Sequence, residues 1–348
     1  MLSIHVSDFG ELNGTLVKLF KLSNKNMDIS IMNYGCTIVS IKAPDRFGKK
    51  KNIVAGFNSF DSYLSNHPYF GCVVGRFANR IRNGKFSIDD KAYQVTLNNG
   101  HHHLHGGTSG FNCKLWNIET IIKEEKQVGV RFSYLSADGE EGFPGNLSTH
   151  VTYILNEENE LIIHYHATTD QPTIINLTNH SYFNLTGFDA ATIHDHELQV
   201  YADTFTVKDE DSIPTGEIVP VKNTPLDFTL SKKIGERIHL ITDDKGYDHN
   251  YVLNNYGKGI IPAAVLYEPE EGRAIKVFTD LPGLQIYTSN WWDGSITGIQ
   301  NHPYIQYGAV TLETQAFPDA PNHPGFPSAI IKPGEDYTST TVFQFSKK

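Results

Sequence analysis

Positive charge is scarce in this chain. Lys plus Arg number 29 against 39 Asp plus Glu in 348 residues, a formal net charge of −10 at pH 7. Such a surface repels phosphate backbones, so nucleic acid is not expected as a partner. Cysteine is scarcer: there are three, Cys36, Cys72 and Cys113, and none is in a CxxC spacing. An odd, unspaced set reads neither as a disulfide framework nor as a zinc motif, and points to a reducing, cytoplasmic setting. The sequons at Asn146, Asn176 and Asn184 would then stay unglycosylated. No apolar run nears the roughly 20 residues that span a bilayer, so no membrane role is expected. The opening residues, Met1–Asp8, lack a basic stretch followed by a long apolar one, and no secretory signal is read there. Phosphate-loop, dinucleotide, nucleophile-elbow and HExxH motifs are missing, which removes the common nucleotide, hydrolase and metalloprotease signatures. Helical periodicity is also rare, with few windows apolar at i, i+3, i+4 and i+7 beyond two turns.

What is present is strand and turn. Hydrophobic residues make up 39% and charged residues 20%, a folded composition. Ser148–Leu155 and Leu161–Thr168 are rich in β-branched and aromatic residues, and the polar Asn156–Glu160 link between them predicts a hairpin. Turn dipeptides recur at Asn13-Gly14, Asn83-Gly84, Asn99-Gly100, Asp138-Gly139 and Asp293-Gly294. Length alone suggests two domains. With no repeat, linker or low-complexity stretch, one all-β domain over residues 1–348, a large antiparallel sandwich or barrel, is preferred. Short helices are expected at Ser59–Leu64 and Leu230–Ile234. The basic run Lys49–Lys51 reads as a solvated hairpin tip rather than a localisation signal or an anion patch.

Several segments carry groups suited to chemistry. In His101-His102-His103-Leu104-His105-Gly106-Gly107, an H-x-H pair on a strand would resemble the metal site of cupin-like oxygenases, but such sites need a nearby carboxylate and the first acid downstream is Glu119. The first histidines then read as loop or surface residues, with His105 alone functional beside the glycine turn. Pro172–Leu185 is dense in amide and imidazole groups, and buried polar groups need partners. It is either a polar loop with a structurally bonded histidine or a segment in which amides pre-orient His180 for proton transfer. Asn176 and His180 share parity. Glu313 sits inside the strand-like Ala309–Gln315 run with Thr311 and Gln315 on its face. It is either on a solvated face or a catalytic base. The Phe317–Pro321 tail reads as a rigid loop over that strand end. Gly75–Ile81 supplies guanidinium donors, and Gly246–Tyr251 mixes acid, imidazole and aromatics, a combination suited to vicinal hydroxyls and the apolar faces of a sugar.

These blocks, in this order, resemble the galactose mutarotase (aldose 1-epimerase) family nearly end to end. The match is carried by Gly75–Ile81, Leu104–Gly107, Asn176–Leu185, Gly246–Asn250, Pro282–Thr288 and Leu312–Gln315. The resemblance implies a β-supersandwich with an open sugar cleft and interconversion of the α- and β-anomers of free hexoses such as galactose and glucose. It implies Glu313 as general base and His180 as general acid. Asn79, Arg80, His105, Asp248 and Gln285 would hold the monosaccharide, with His105 able to take over the acid role. No metal or other cofactor is implied, and the chain would act as a monomer or weak homodimer. Ring opening requires the C1 hydroxyl to lose a proton while the ring oxygen gains one, and a carboxylate and an acid each contribute on the order of 10²–10⁴-fold to such a step. Alternatives are a hexose-6-phosphate epimerase, which needs a basic pocket, a non-catalytic sugar-binding sandwich, and the metal oxygenase.

Overall fold

Strict alternation builds the centre of the molecule. In the computed structural model, which describes residues 1–65 and 67–348, Leu147–Asn156 and Glu160–Thr169 bury every second side chain and pair as the expected hairpin, Leu155 opposite Leu161. They are the third and fourth strands of a nine-stranded antiparallel sheet. It runs Asn117–Lys123, Gln127–Ser136, Leu147–Asn156, Glu160–Thr169, Tyr337–Lys347, Arg273–Thr279, Ile261–Tyr267, Glu197–Val200, Lys232–Lys233. The C-terminal strand thus lies between strands some 170 and 70 residues upstream, as its register with residues 160–167 and 273–279 requires.

Two further sheets pack against this one. A five-stranded sheet comprises Ser3–Leu12, Thr15–Ser23, Asp28–Met32, Thr37–Pro44 and Lys50–Asn52, and a six-stranded sheet runs Tyr182–Phe183, Val310–Gln315, Gly283–Tyr287, Asp248–Val252, Thr204–Lys208, Pro214–Pro220. One continuous apolar cluster draws on all three, including Phe20, Phe132, Tyr153, Phe183, Leu284, Leu312 and Phe343. Phe20 meets Phe132 edge-on at 5.4 Å between ring centroids, and Phe183 meets Phe343 at 5.5 Å. The fold is the expected all-β supersandwich, and the remaining helical turns are short 3₁₀ pieces.

Local departures have local causes. Ser59–Leu64 contains a 3₁₀ turn, Asp61–Tyr63. The expected helix at Leu230–Ile234 is instead the edge strand Lys232–Lys233, captured by pairing with Glu197–Leu198, followed by a 3₁₀ turn, Ile234–Glu236. Of the basic run, only Lys49 stays at the hairpin tip. Lys50 and Lys51 enter a strand, and the Lys51 ammonium is paired with Asp189 at 2.6 Å and with Glu271.

Candidate active site

The six-stranded sheet has two different faces. Along Val310–Gln315, Val310 and Leu312 join the core, while Thr311, Glu313 and Gln315 point the other way. All six are buried, so the solvated-face reading of Glu313 fails: the residue is 2% exposed. The register places Gln285 directly opposite both Glu313 and Asn250, and Asp248 opposite Tyr287. A row of polar side chains therefore crosses three neighbouring strands.

Irregular segments close a cleft over this row. His180 is held by its backbone, its N–H donating to the Cys72 carbonyl at 2.9 Å and its carbonyl accepting from the Gly71 N–H at 3.0 Å. Gly71 in turn accepts from the Ile38 N–H at 2.9 Å, so the five-stranded sheet sets the height of His180. The imidazole lies between Tyr69 and Tyr182, with centroids at 5.8 and 4.9 Å, and His105 meets it edge-on at 5.2 Å. Asn79 and His105 lock each other. The His105 N–H donates to the Asn79 carbonyl, and the Asn79 N–H donates to His105 Nδ1, both at 3.1 Å. Because Nδ1 accepts, a neutral His105 carries its proton on Nε2. Gly106 explains the motif's first glycine: at φ 88° it approaches so closely that a Cβ would sit 1.8 Å from the Gly75 carbonyl oxygen.

All seven residues expected at the site, Asn79, Arg80, His105, His180, Asp248, Gln285 and Glu313, line one cavity of about 280 Å³. His180 Nε2 lies 3.6 Å from Glu313 Oε1, whose other close partner is the Thr311 hydroxyl, donating at 2.8 Å. Glu313 Oε2 and His180 Nδ1 have no hydrogen-bond partner. Gln285 Nε2 donates to Asp248 Oδ1 at 2.6 Å, and Arg80 Nε donates to Asn99 Oδ1 at 3.4 Å.

Burial sets the protonation. Desolvation pushes the Glu313 carboxyl up to about 8, the charge of Asp248 adds to this, and the Thr311 hydroxyl and Arg80 oppose it. Desolvation holds His180 down to about 4, and His105 well below its ordinary range. Burial also pushes Asp248 upward, but Lys208, Arg80, His249 and the Gln285 hydrogen bond outweigh it and hold that carboxyl below its usual range. The cleft thus contains one firm carboxylate, Asp248, and a Glu313–His180 pair that holds a single proton at neutral pH.

Several expectations need correction. Asn176 does not orient His180. Its amide bonds the Ala78 and Ala316 carbonyls at 3.0 and 3.3 Å and accepts from the Ala316 N–H at 2.8 Å. Asn179 is the amide nearer to His180, donating at 2.8 Å to the same Gly71 carbonyl that Ile38 uses. Arg76 stays out of the cleft, buried among the carbonyls of Ser136, Ala137, Pro144 and Gly145. His102 and His103 are buried, not surface residues. His102 Nδ1 accepts from the Asn83 N–H at 3.0 Å, and His103 Nδ1 donates to the Thr96 carbonyl at 2.7 Å. The H-x-H metal reading fails with them, since His101 is exposed and His103 packs on Phe143. A different triad, His105, His180 and Glu313, brings ligand atoms within 4.8 Å of one another. A tetrahedral zinc site holds its ligand atoms about 3.3 Å apart and needs a bare nitrogen from each histidine, whereas His105 Nδ1 is engaged by Asn79. Residues that sequence reasoning left out are Tyr69, Asn99 and Trp291, which also line the cleft, and Lys208, whose ammonium bonds the Asp248 carbonyl from behind and pairs with Asp244 at 2.6 Å. Trp291 is 60% exposed at the rim beneath the Lys245 ammonium.

Fold and cleft together define a carbohydrate isomerase. A family model described as aldose 1-epimerase matches residues 18–344, and the chain belongs to that family. Similar relatives include galactose mutarotase of Sus scrofa, 42% identical over 99% of each chain, and aldose 1-epimerase of Escherichia coli, 36% identical over 93% of each. A solved galactose 1-epimerase from Lactobacillus acidophilus superposes with a TM-score of 0.88 at 28% identity, covering 100% of this chain and 99% of that one. Among the described residues, no helix is long and apolar enough to cross a membrane.

Proposed function

We propose that the protein interconverts the α- and β-anomers of free hexoses such as galactose and glucose through ring opening and reclosure. The observation that carries this reading is the buried Glu313–His180 pair, 3.6 Å apart on one cavity and holding one proton between them. The raised proton affinity of Glu313 and the lowered one of His180 rest that proton on Glu313. The reaction proceeds from the arrangement with it on His180, in which Glu313 is a carboxylate that removes the C1 hydroxyl proton while His180 protonates the ring oxygen. The C1–O5 bond breaks, the aldehyde forms, and the proton now sits on Glu313. Rotation about C1–C2 and the reverse transfers close the other anomer. The protein ends with the proton count it began with, so no external acid or base is consumed. Arg80 and the Nε2–H of His105 supply donors to sugar oxygens, and Asp248, Asn79 and Gln285 supply acceptors and donors for hydroxyls.

Two observations favour an unphosphorylated sugar. Among the described residues, Arg80 is the only lysine or arginine lining the cleft, and it faces Asp248 and Glu313. Lys208, behind Asp248, is already paired with Asp244. A non-catalytic binder has no use for a carboxyl buried to 2% exposure, with its proton affinity raised beside an imidazole. We also read residues 1–348 as one domain, because the nine-stranded sheet interleaves distant segments. The free cysteines, with Cys36 and Cys72 buried, support a reducing, cytoplasmic setting. Polarimetry tests the activity: fresh α-galactose or α-glucose is expected to reach equilibrium rotation far faster with protein than in buffer, and equal rates would reject it. Galactose compared with glucose 6-phosphate tests the branch.

A further inference from the structure

The Phe317–Pro321 segment lies beyond the Glu313 strand and has no place in the proton transfers. Its central residue is nonetheless an expensive one. Asp319 has no exposed surface and a left-handed backbone, φ 53°. A buried carboxyl at a turn costs free energy unless its bonds serve something. Those bonds go to the backbone just after Arg80, on either side of Ile81. The Asp319 N–H donates to the Arg80 carbonyl at 2.9 Å, and Asp319 Oδ1 accepts from the Arg82 N–H at 2.9 Å. Asn322 Nδ2 donates to the same Oδ1 at 2.6 Å and fixes its direction, while His323 Nε2 lies 3.2 Å from Oδ2.

The strand so gripped is only two residues long, Arg80–Ile81, and pairs with only His103–Leu104. Two residues of pairing do not fix the height of a long, flexible side chain. Asn176 ties Ala316 to Ala78 on one side of Arg80, and Asp319 completes the grip on the other. The carboxylate strand and the arginine strand are thereby joined directly, not through the core.

We infer that Asp319 is a positioning residue that sets where Arg80 stands in the cleft by clamping its backbone from the end of the Glu313 strand. The inference rests on the reading of Arg80 as a sugar contact. Its effect belongs to binding, since Arg80 transfers no proton, so loss of the clamp raises KM and leaves kcat near its original value.

The test is a double-mutant cycle on the full chain with galactose, read by steady-state kinetics beside thermal melts. Asp319→Gly removes the side chain and keeps the left-handed backbone free of strain, whereas Asp319→Asn keeps the acceptor and tolerates that backbone. D319G is expected to raise KM about tenfold, the loss of one hydrogen bond to a group that must stay placed. D319N is expected to restore KM to within about twofold of the original. In an Arg80→Ala background, which itself raises KM, D319G should change KM no further. Additive KM effects, or a D319G change confined to kcat, overturn the clamp. A D319N variant with KM raised as far as in D319G also overturns it, and decides the matter if D319G does not fold. An R80A variant with unchanged KM rejects the reading of Arg80 itself and the clamp with it, a result distinct from failure of the clamp alone.

Discussion

Glu313 and His180 are ordinary residue types made unusual by burial. Between about pH 4 and about pH 8 the pair holds one proton, and the proposed ring opening needs that state. Below this window a second proton silences the base. Above it the last proton leaves and no acid remains. The pH profile of kcat/KM is therefore expected to be bell-shaped with limbs near these values, and a flat profile from pH 4 to 10 would refute the shared-proton reading. Glu313→Gln should lower kcat on the order of 10²–10⁴-fold while KM changes little. The same variant should be more stable than the original at high pH. The unfolded carboxyl ionises near 4.5 and the folded one near 8, so unfolding releases a proton across this window and stability falls as pH rises through it. Glutamine has no such loss, and melts at pH 5 and 9 should show the gap between the two proteins widening. Equal gaps at both pH values would mean that Glu313 ionises normally in the fold. The sequence singled out Glu313 and His180 as candidates, because a glutamate inside a β-branched run and a histidine among asparagines strain what an ordinary strand tolerates. It left each a structural alternative, and their proposed roles came from the family resemblance. Tyr69, Asn99 and Trp291 violate nothing in their own segments. Only the chain path brings them to the cleft, so local pattern could not find them.

Short elements hold these side chains in place. The strand His103–Leu104 and the turn after it carry His105 to its lock with Asn79, and Gly106 is what lets the turn pass Gly75. Gly106→Ala is expected to be strongly destabilising and to raise KM, because the added carbon collides with backbone that cannot yield. Gly14→Ala provides the comparison. That glycine also has a left-handed φ, 83°, but open space around its Cβ direction, so only about 1 kcal/mol of strain should follow and activity should be unchanged. Similar melting points for the two variants would show that the Gly75 contact does not matter. At this scale the sequence was less informative. The long hairpin at 147–169 was readable from its alternation, whereas Lys232–Lys233 became a strand only through its neighbour Glu197–Leu198. The histidine run misled for a related reason. Three successive polar rings read as exposed, but backbone groups at Asn83 and Thr96 each bond the Nδ1 of one ring, His102 and His103, and both are buried.

On the scale of the whole molecule, the cleft depends on a core it does not touch. The five-stranded sheet supports His180 through Ile38 and Gly71, and that sheet is seated on the nine-stranded one by contacts such as Phe20 on Phe132. Phe132→Ala should cost about 3–5 kcal/mol in chemical denaturation. Activity well below the new midpoint should be retained, since the cleft residues keep their own bonds. A loss below about 1 kcal/mol would mean that the sheets slide together to fill the space. The expectation of an all-β architecture needed only strand and turn counts, but the order of the strands lay beyond them, because pairing partners as far apart as Glu160 and Gln344 leave no mark on local sequence. That order has a temporal consequence. During synthesis the ribosome releases Tyr337–Lys347 after every strand it pairs with. Until then the edges of Glu160–Thr169 and Arg273–Thr279 that will receive it stand open to any other chain. Between the synthesis of Arg273–Thr279 and that of Tyr337–Lys347 the nascent protein therefore passes through an aggregation-prone interval, and its nine-stranded sheet closes from the middle.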